Sequence, residues 1–181
     1  MTDRHTADVQ RQVVLTTRRV VVTTWLPNDA EDLYELHSDP LTMRFVGPGR
    51  VESREEVDRR LASYLNEQRV HGWTKWRVQT TDGSMIGRAG FGAYGLNREL
   101  GYTLRPASWG RGLATELALA LVGWHTKHPE PDSPLDLWAY AAQENAASRR
   151  VLEKVGFDFI DHREHHGTTC AFYVHGYGSQ L

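Results

Sequence analysis

The sequence predicts an α/β protein with one domain built around a single mixed sheet, and three observations support this fold class. First, segments with strand composition and segments with helical periodicity follow one another in the order β-α-α-β-β-β-α-β-α-β-β. Second, the length of 181 residues suits one domain with a sizeable core. Third, the sequence contains no internal repeat and no linker that would divide it into two domains.

Composition and charge exclude several classes of protein. Lys plus Arg number 21 and Asp plus Glu number 23, so the net charge of −2 argues against a general nucleic-acid binder. No apolar run reaches the roughly 18 residues of a membrane span, and the polar N-terminus does not resemble a secretory signal. A single cysteine excludes an intrachain disulfide framework, so we expect a cytoplasmic protein.

The N-terminal third predicts one strand and two helices. Val13–Leu26 is rich in Val and Thr, which is the composition of a strand. Pro27-Asn28-Asp29 ends this strand and begins the first helix. Phe45–Arg50 contains two glycines and a proline and is predicted to be a loop. Ser53 and Glu56 form a capping box that begins the second helix.

The remaining chain predicts six strands and two helices. Two turn signals join the first three of these strands into hairpins, namely Asp82-Gly83 and the Gly-rich link Gly92–Asn97. Gly156 ends the last helix. The predicted strands are Trp73–Gln79, Met85–Phe91, Glu99–Leu104, Leu135–Tyr140, Phe157–Asp161 and Thr168–Val174, and the predicted helices are Leu113–His125 and Asn145–Val155.

The stretch from Glu99 to Glu116 carries most of the information about function. A strand leads into a loop with Gly110 and Gly112, and this loop leads into an apolar helix. Glycines let backbone N–H groups approach a ligand, and the first turn of a helix adds free N–H groups and partial positive charge. Together they can hold a phosphate or pyrophosphate. The alternative is an ordinary strand–helix turn, since neither the Walker pattern nor the dinucleotide fingerprint is present.

Residues Trp109–Glu116 resemble the acetyl-coenzyme A loop of the GNAT superfamily of N-acetyltransferases. That loop is usually Gln/Arg-x-x-Gly-x-Gly/Ala; Gly112 and Ala114 fill its last two defined positions, whereas Trp109 replaces the first. This departure resembles the ribosomal-protein-alanine acetyltransferase branch (RimJ/RimL type). Further segments similar to that branch are Leu15–Arg19, Asp29–Leu33, Ile86–Arg88, Glu99–Tyr102 and Asn145–Phe157, so that the resemblance covers about residues 13 to 175.

The resemblance implies a single-domain GNAT-like fold. Its central sheet is mixed and mostly antiparallel, contains two splayed parallel strands, and is flanked by about four helices. Glu99–Leu104 and Leu135–Tyr140 correspond to the splayed strands, between which the pantetheine arm of the cofactor lies in the family. We expect residues 13–178 to form this domain, and the polar residues 1–12 to be a flexible leader.

The implied activity is transfer of an acetyl group from acetyl-CoA to a primary amine by direct attack in a ternary complex. The acceptor is an amine of a small molecule or of a protein N-terminus, with no nucleic acid or membrane partner. The cosubstrate-binding residues implied by the resemblance are Leu104, Trp109, Gly110, Arg111, Gly112, Leu113, Ala114, Thr115 and Asn145. No metal is expected, because the cluster of His162, His165 and His166 matches no known ligand spacing.

Glu99 and Ser148 are the candidate catalytic residues. A carboxylate can take the proton that an ammonium must lose, and Glu99 begins the splayed strand; alternatively, it is only a charged strand end or an ion-pair partner. The resemblance implies that Ser148 lies near the sulfur as a proton donor or relay. It also implies that Asn145, three residues before Ser148, binds the pantetheine arm; the alternative is that Asn145 is only a helix N-cap. Cys170 has no evident base nearby, which disfavours an acetyl-cysteine intermediate.

A non-catalytic acyl-CoA-binding module remains the alternative function. Such a module needs Gly110, Gly112 and Asn145 but no base, so the presence of Glu99 and Ser148 favours an enzyme. A homodimer formed through the last strands is possible. The sequence leaves open which amine is the acceptor and how long the acyl group is.

Overall fold

The computed structural model describes residues 10–130 and 136–176, and its helices and strands follow the predicted order with one additional strand and one additional helix in the N-terminal third. The strands are β1 Val13–Thr16, β2 Val20–Thr23, β3 Lys75–Thr80, β4 Met85–Tyr94, β5 Asn97–Leu104, β6 Leu137–Ala142, β7 Asp158–His165 and β8 Thr168–His175. The helices are α1 Ala30–His37, α2 Pro40–Met43, α3 Arg54–His71, α4 Leu113–Lys127 and α5 Ala146–Lys154. Among these described helices, none combines the length and apolar character needed to cross a membrane.

All eight strands form one sheet in the order β1-β2-β3-β4-β5-β6-β8-β7. The pairing is antiparallel except between β5 and β6, which are parallel. Arg98 pairs with Leu137 and Glu99 with Trp138, after which the two strands separate. The predicted α/β fold with two splayed parallel strands is thereby confirmed.

Helices cover both faces of the sheet. Met85 and Ile86 are neighbours in β4, so their side chains point to opposite faces, and they belong to two different hydrophobic clusters. The larger cluster packs one face against α4 and α5, for example through Leu117 and Leu152. The smaller cluster packs the other face against α1 and α3. We refer to these as the α4 face and the α3 face.

The helix boundaries have the local causes that the sequence predicts. The capping box is present at α3, where Ser53 Oγ accepts from the Glu56 N–H and Glu56 accepts from the Ser53 N–H. Asn145 caps α5 by accepting from the Ser148 N–H at 3.1 Å. Gly156 has a φ of +90° and follows α5 as its predicted stop.

The single strand predicted over Val13–Leu26 is wrong, because the chain reverses in its middle. Residues 17–19 form a turn between β1 and β2, in which Thr17 Oγ1 accepts from the Val20 N–H at 3.1 Å and donates to the Val20 carbonyl at 3.2 Å. A run of Val and Thr indicates extended backbone on both sides of this turn but does not show the reversal. The consequence for function is that Arg18 and Arg19 lie at the tip of a hairpin.

The second predicted hairpin has a shorter turn than expected. β4 continues to Tyr94 and β5 begins at Asn97, so only Gly95 and Leu96 lie between the paired strands. Gly92 is therefore a strand residue. A side chain there would clash, because a Cβ on Gly92 would lie 2.9 Å from Glu99 Oε2.

The predicted leader lies mainly outside the described residues, which begin at position 10. Within its last part, Arg11 forms an ion pair with Asp29 at 2.6 Å, and Gln12 pairs with Thr24. Leu135, the first residue of the predicted strand Leu135–Tyr140, also lies outside the described residues.

Candidate active site

The divergence of β5 and β6 opens a gap in the sheet, and neighbouring side chains on β5 face opposite sides of it. Leu100 belongs to the cluster on the α4 face, and Tyr102 packs against that cluster. Glu99 therefore points to the α3 face. On β6, Ala139 and Ala141 belong to the α4-face cluster, so Tyr140 shares the α3 face with Glu99.

The loop after β5 has the geometry of an anion cradle. Gly110 and Gly112 have φ values of +70° and +73°, and a Cβ on Gly110 would meet no atom within 4 Å among the described residues apart from its chain neighbours. Gly112 is the N-cap of α4 and has no side chain to cap it, so within the described part of the chain the first N–H groups of the helix are not capped by their N-cap residue. The Leu113 side chain is buried, which leaves only its backbone for a ligand. The cradle therefore fits the pyrophosphate of coenzyme A.

Trp109 and Leu104 are joined to each other beside this cradle. Trp109 Nε1 donates to the Leu104 carbonyl at 2.8 Å, although half of the Trp109 side chain is exposed. Ala114 and Thr115 lie in the first turn of α4. The residues predicted for binding over 104–115 are thus brought together at one end of the gap.

Arg19 supports the cradle from the β1–β2 hairpin, a contact that the sequence analysis missed. Its Nε donates to Glu116 Oε2 at 2.7 Å, and its Nη1 donates to the Arg111 carbonyl at 2.7 Å. Arg19 Nη2 lies 3.6 Å from the position of a Cβ on Gly112. The guanidinium therefore connects the loop to the first turn of α4.

Ser148 lies on the α4 face and is hydrogen-bonded to Tyr102. The Tyr102 hydroxyl lies 2.9 Å from Ser148 Oγ and 3.2 Å from the Ser148 carbonyl. Burial raises the pKa of Tyr102 to about 12, so this phenol stays protonated at neutral pH. Asn145 uses its amide oxygen as the cap of α5, while its amide nitrogen has no hydrogen-bond partner among the described residues. The cap reading is confirmed, and the amide nitrogen is free for the predicted ligand role.

Glu99 is an ion-pair partner in this structure. Its Oε2 lies 2.8 Å from Lys75 Nζ, and only 6% of the residue is exposed. Two glycines make room for the pair, because a Cβ on Gly101 would lie 2.6 Å from Lys75 Cε and one on Gly92 would meet Glu99 itself. The carboxylate is thus buried and charge-paired, which does not by itself distinguish the two readings of Glu99.

A cavity of about 460 Å³ lies beside the gap on the α3 face. Its walls are the loop after α2, the end of β6 with the residues that follow it, and the β7–β8 turn. The lining residues are Arg44, Phe45, Gly47, Gly49, Tyr140, Ala141, Ala142, Gln143, Glu144, His165, His166, Thr168, Thr169 and Cys170. Because Tyr140–Ala142 belongs to the part of β6 that has left β5, the cavity adjoins the gap.

The titratable groups of this cavity are shifted mainly by burial. Burial raises the pKa of Tyr140, and the negative charge of Glu99 adds to this effect. Burial also raises the pKa of Cys170, which disfavours the thiolate that a covalent mechanism needs. No group of three His, Cys, Asp or Glu side chains in the described parts of the chain is arranged to hold a metal.

A buried polar network holds Glu52, which follows the loop after α2 that lines the cavity. The Glu52 N–H donates to the His37 carbonyl, and Glu52 Oε2 lies 2.8 Å from His37 Nδ1. Arg88 Nε donates to His37 Nε2 at 3.1 Å. Burial lowers the pKa of His37 to about 4, so the ring is neutral at pH 7 and donates to Glu52 through Nδ1. The network connects the end of α1 and the start of the α3 region to the sheet.

Comparison with known proteins gives the family. A model of the acetyltransferase (GNAT) domain matches residues 19–158. The chain belongs to the GNAT acetyltransferase family. It is 26% identical over 151 residues to the uncharacterized N-acetyltransferase YoaA of Bacillus subtilis (strain 168), covering 80% of this chain and 82% of that protein.

Two solved structures illustrate the shared fold. A putative GNAT-family acetyltransferase from Bordetella pertussis superimposes with a TM-score of 0.76 at 21% identity, covering 91% of this chain and 99% of that chain. RimL, a ribosomal alpha-N-protein acetyltransferase solved in complex with coenzyme A, superimposes with a TM-score of 0.73 at 15% identity, covering 91% and 97%. These likenesses confirm the GNAT fold, whereas the RimJ/RimL branch stays a prediction.

Proposed function

We propose that this protein transfers an acetyl group from acetyl-CoA to a primary amine by direct attack in a ternary complex. The observation that carries the proposal is the gap between β5 and β6, which has an anion cradle at one end. A hydroxyl pair lies on its α4 face, and a cavity with a buried carboxylate beside it lies on its α3 face. The cradle corresponds to binding of the cosubstrate, the hydroxyl pair to protonation of the leaving sulfur, and the cavity with its carboxylate to deprotonation of the acceptor amine.

The cradle and Asn145 are the proposed binding site for the cosubstrate. The N–H groups at Gly112 and the first turn of α4 bind the pyrophosphate, and Arg111 and Arg19 add positive charge. The unpaired edges of β5 and β6 accept the amide groups of the pantetheine arm, because buried backbone groups need partners. The Asn145 amide nitrogen donates to the same arm. Bound acetyl-CoA supplies the activated thioester.

The two faces of the gap have different proposed tasks. On the α3 face, the acceptor amine occupies the cavity, and Glu99 is the proposed base that receives its proton directly or through an intervening group. On the α4 face, Ser148 donates a proton toward the leaving sulfur and is held in place by Tyr102. The tetrahedral carbon formed between β5 and β6 is therefore approached by the amine and its base from the α3 face and by the proton donor from the α4 face.

The acceptor is an amine of a small molecule or of a protein N-terminus. RimL is an alpha-N-protein acetyltransferase with the same fold, which makes N-terminal peptides one class to test. Arg44 and Glu144 both line the cavity, so its wall carries charges of both signs and does not select one acceptor class. Both acceptor classes therefore belong in the same screen.

The experiment is a thiol-release assay with acetyl-CoA and a panel of small amines and N-terminal peptides. We expect turnover with at least one acceptor, and a decrease in kcat of about 100-fold in Glu99→Gln, which is typical of losing general-base catalysis. The affinity for acetyl-CoA should stay within about twofold. The matched control is Glu130→Gln, which breaks a 2.9 Å ion pair with Arg98; neither residue is among those that line the cavity.

Two outcomes would contradict this proposal. Saturable binding of acetyl-CoA without turnover on any acceptor would favour the non-catalytic binding module. Full activity of Glu99→Gln over the whole pH range would show that Glu99 is only the ion-pair partner of Lys75.

A further inference from the structure

Glu99 does not line the cavity in which the acceptor is proposed to bind. Its carboxylate is shielded by Lys75 and by the backbone at Gly92 and Gly101. The His165 imidazole, in contrast, forms part of the cavity wall. An amine inside the cavity therefore meets His165 before it can reach Glu99.

The ring of His165 is held by packing and not by hydrogen bonds. Its centroid lies 4.3 Å from the Tyr140 ring in an edge-on arrangement and 5.7 Å from the Phe172 ring. His166 lies against it with a centroid distance of 4.1 Å. Within residues 10–130 and 136–176, neither ring nitrogen of His165 has a hydrogen-bond partner. The ring is thus oriented while its nitrogens stay available to a ligand.

Burial is the main influence on the protonation of His165. Burial lowers the pKa of His165, and the neighbouring His166 and Lys75 lower it further. The negative charge of Glu99 raises it. At neutral pH the imidazole is therefore unprotonated. The other titratable or charged groups facing this part of the cavity are Arg44, Tyr140, Glu144 and Cys170.

We propose that His165 is a catalytic residue that takes the proton from the acceptor's ammonium group, with Glu99 behind it stabilising the imidazolium that forms. This inference rests on the proposed function, because it supplies the intervening group between the amine and Glu99. It also makes His165, at the end of β7, a catalytic side chain contributed by the β7–β8 hairpin.

In the proposed transfer, the acceptor's ammonium group loses two protons, one to His165 and one to Ser148. His165 accepts one proton from the ammonium, and the free amine forms a C–N bond with the thioester carbonyl carbon. Collapse of the tetrahedral intermediate breaks the C–S bond, and the sulfur receives a proton from Ser148, which regains one as the new amide nitrogen loses its second proton. His165 then releases its proton to solvent through the open cavity, so that the net products are the amide, coenzyme A and one proton.

The kinetic test compares His165→Asn with His162→Asn. His162 is exposed on the same strand, β7, and is not among the residues that line the cavity, so the same substitution there is a matched control. We expect kcat/KM to fall about 100-fold in His165→Asn and the acidic limb of its pH profile to disappear. His162→Asn should keep kcat/KM within about threefold of the native protein and leave the acidic limb in place.

A titration by NMR of the histidine side chains gives a readout that does not depend on turnover. The His165 signal, assigned by its absence in His165→Asn, should titrate below the usual midpoint of histidine, and Glu99→Gln should move this midpoint to still lower pH. An unmoved midpoint would overturn the proposed pairing with Glu99. Equal losses of activity in both Asn variants, or an unchanged pH profile in His165→Asn, would overturn the base assignment. Native protein without turnover on any amine would instead contradict the proposed function.

Discussion

Ser148 illustrates how one side chain near the gap depends on its neighbours. Its backbone N–H is bound by Asn145, which begins α5, and its hydroxyl is bound by Tyr102 from β5. The second contact reaches from a strand to a helix on the same face of the sheet. The position of the hydroxyl is therefore determined by two elements and not by the side chain alone.

The hydroxyl of Ser148 should matter more than that of Tyr102. We expect Ser148→Ala to lower kcat about 100-fold, because the leaving thiolate loses its proton donor, and Tyr102→Phe to lower it about 10-fold, because the donor is only less well oriented. KM for acetyl-CoA should change by less than about threefold in both. Steady-state kinetics measures both values.

Ser148→Thr is the control for this prediction, because it keeps a hydroxyl at the same position. Recovery of most of the activity in Ser148→Thr is expected. Full activity in Ser148→Ala would show that another group protonates the sulfur.

Single functional residues could be predicted from the sequence where they belong to a short motif. Gly112, Asn145 and Ser148 lie in short motifs whose spacing along the chain is informative. Lys75 and His165 were not assigned to the site, because their partners lie on distant strands. Tyr102 was quoted only as part of a resemblance, and its contact with Ser148 spans 46 positions of the chain.

At the scale of elements, the β1–β2 hairpin supports the cofactor loop. Arg19 binds the Arg111 carbonyl and Glu116, so the hairpin tip and the first turn of α4 are connected across 92 and 97 positions of the chain. Such charge-assisted hydrogen bonds are stronger than neutral ones. The loop is therefore preorganised before a ligand arrives.

Removal of this support should weaken cofactor binding. We expect Arg19→Gln to raise the Kd of acetyl-CoA about 10-fold, because the loop loses the two guanidinium hydrogen bonds that hold it in place before the ligand binds. Arg18→Gln is the matched control, since Arg18 is exposed at the same turn and has no hydrogen bond or ion pair among the described residues; its Kd should stay within about twofold. Equal affinities of Arg19→Gln and the native protein, measured by calorimetry, would exclude a role of the hairpin.

Most elements were predicted within a few residues, and the exceptions have physical reasons. The α3 helix begins at its capping box as predicted, because the signal is local. The β1–β2 turn was missed because Thr17 makes its hydrogen bonds without glycine or proline. The short α2 was also missed; it is capped by Asp39, whose side chain accepts from the Leu41 and Thr42 N–H groups.

At the scale of the whole molecule, the splayed strands separate two kinds of chemistry. The proposed proton acceptors, Glu99 and His165, lie on the α3 face with the cavity, whereas Ser148 and Tyr102 lie on the α4 face. The cradle lies at the end of the gap between them. The splayed strands were predicted through a family resemblance and the cradle from its two glycines and the helix that follows them, but the assignment of each side chain to a face required the alternation seen in β5 and β6.

The cradle at Gly110 and Gly112 is expected to bind acetyl-CoA. The direct test is calorimetric titration of acetyl-CoA into the native protein, Gly112→Glu and the control Gly95→Glu. Gly95 also has a positive φ, of +59°, but lies in the β4–β5 turn, so it reproduces the backbone strain away from the cradle. Binding on the order of micromolar that is lost in Gly112→Glu and kept in Gly95→Glu is the predicted result. Absence of binding to the native protein, or unchanged affinity in Gly112→Glu, would show that the cradle does not hold the cosubstrate.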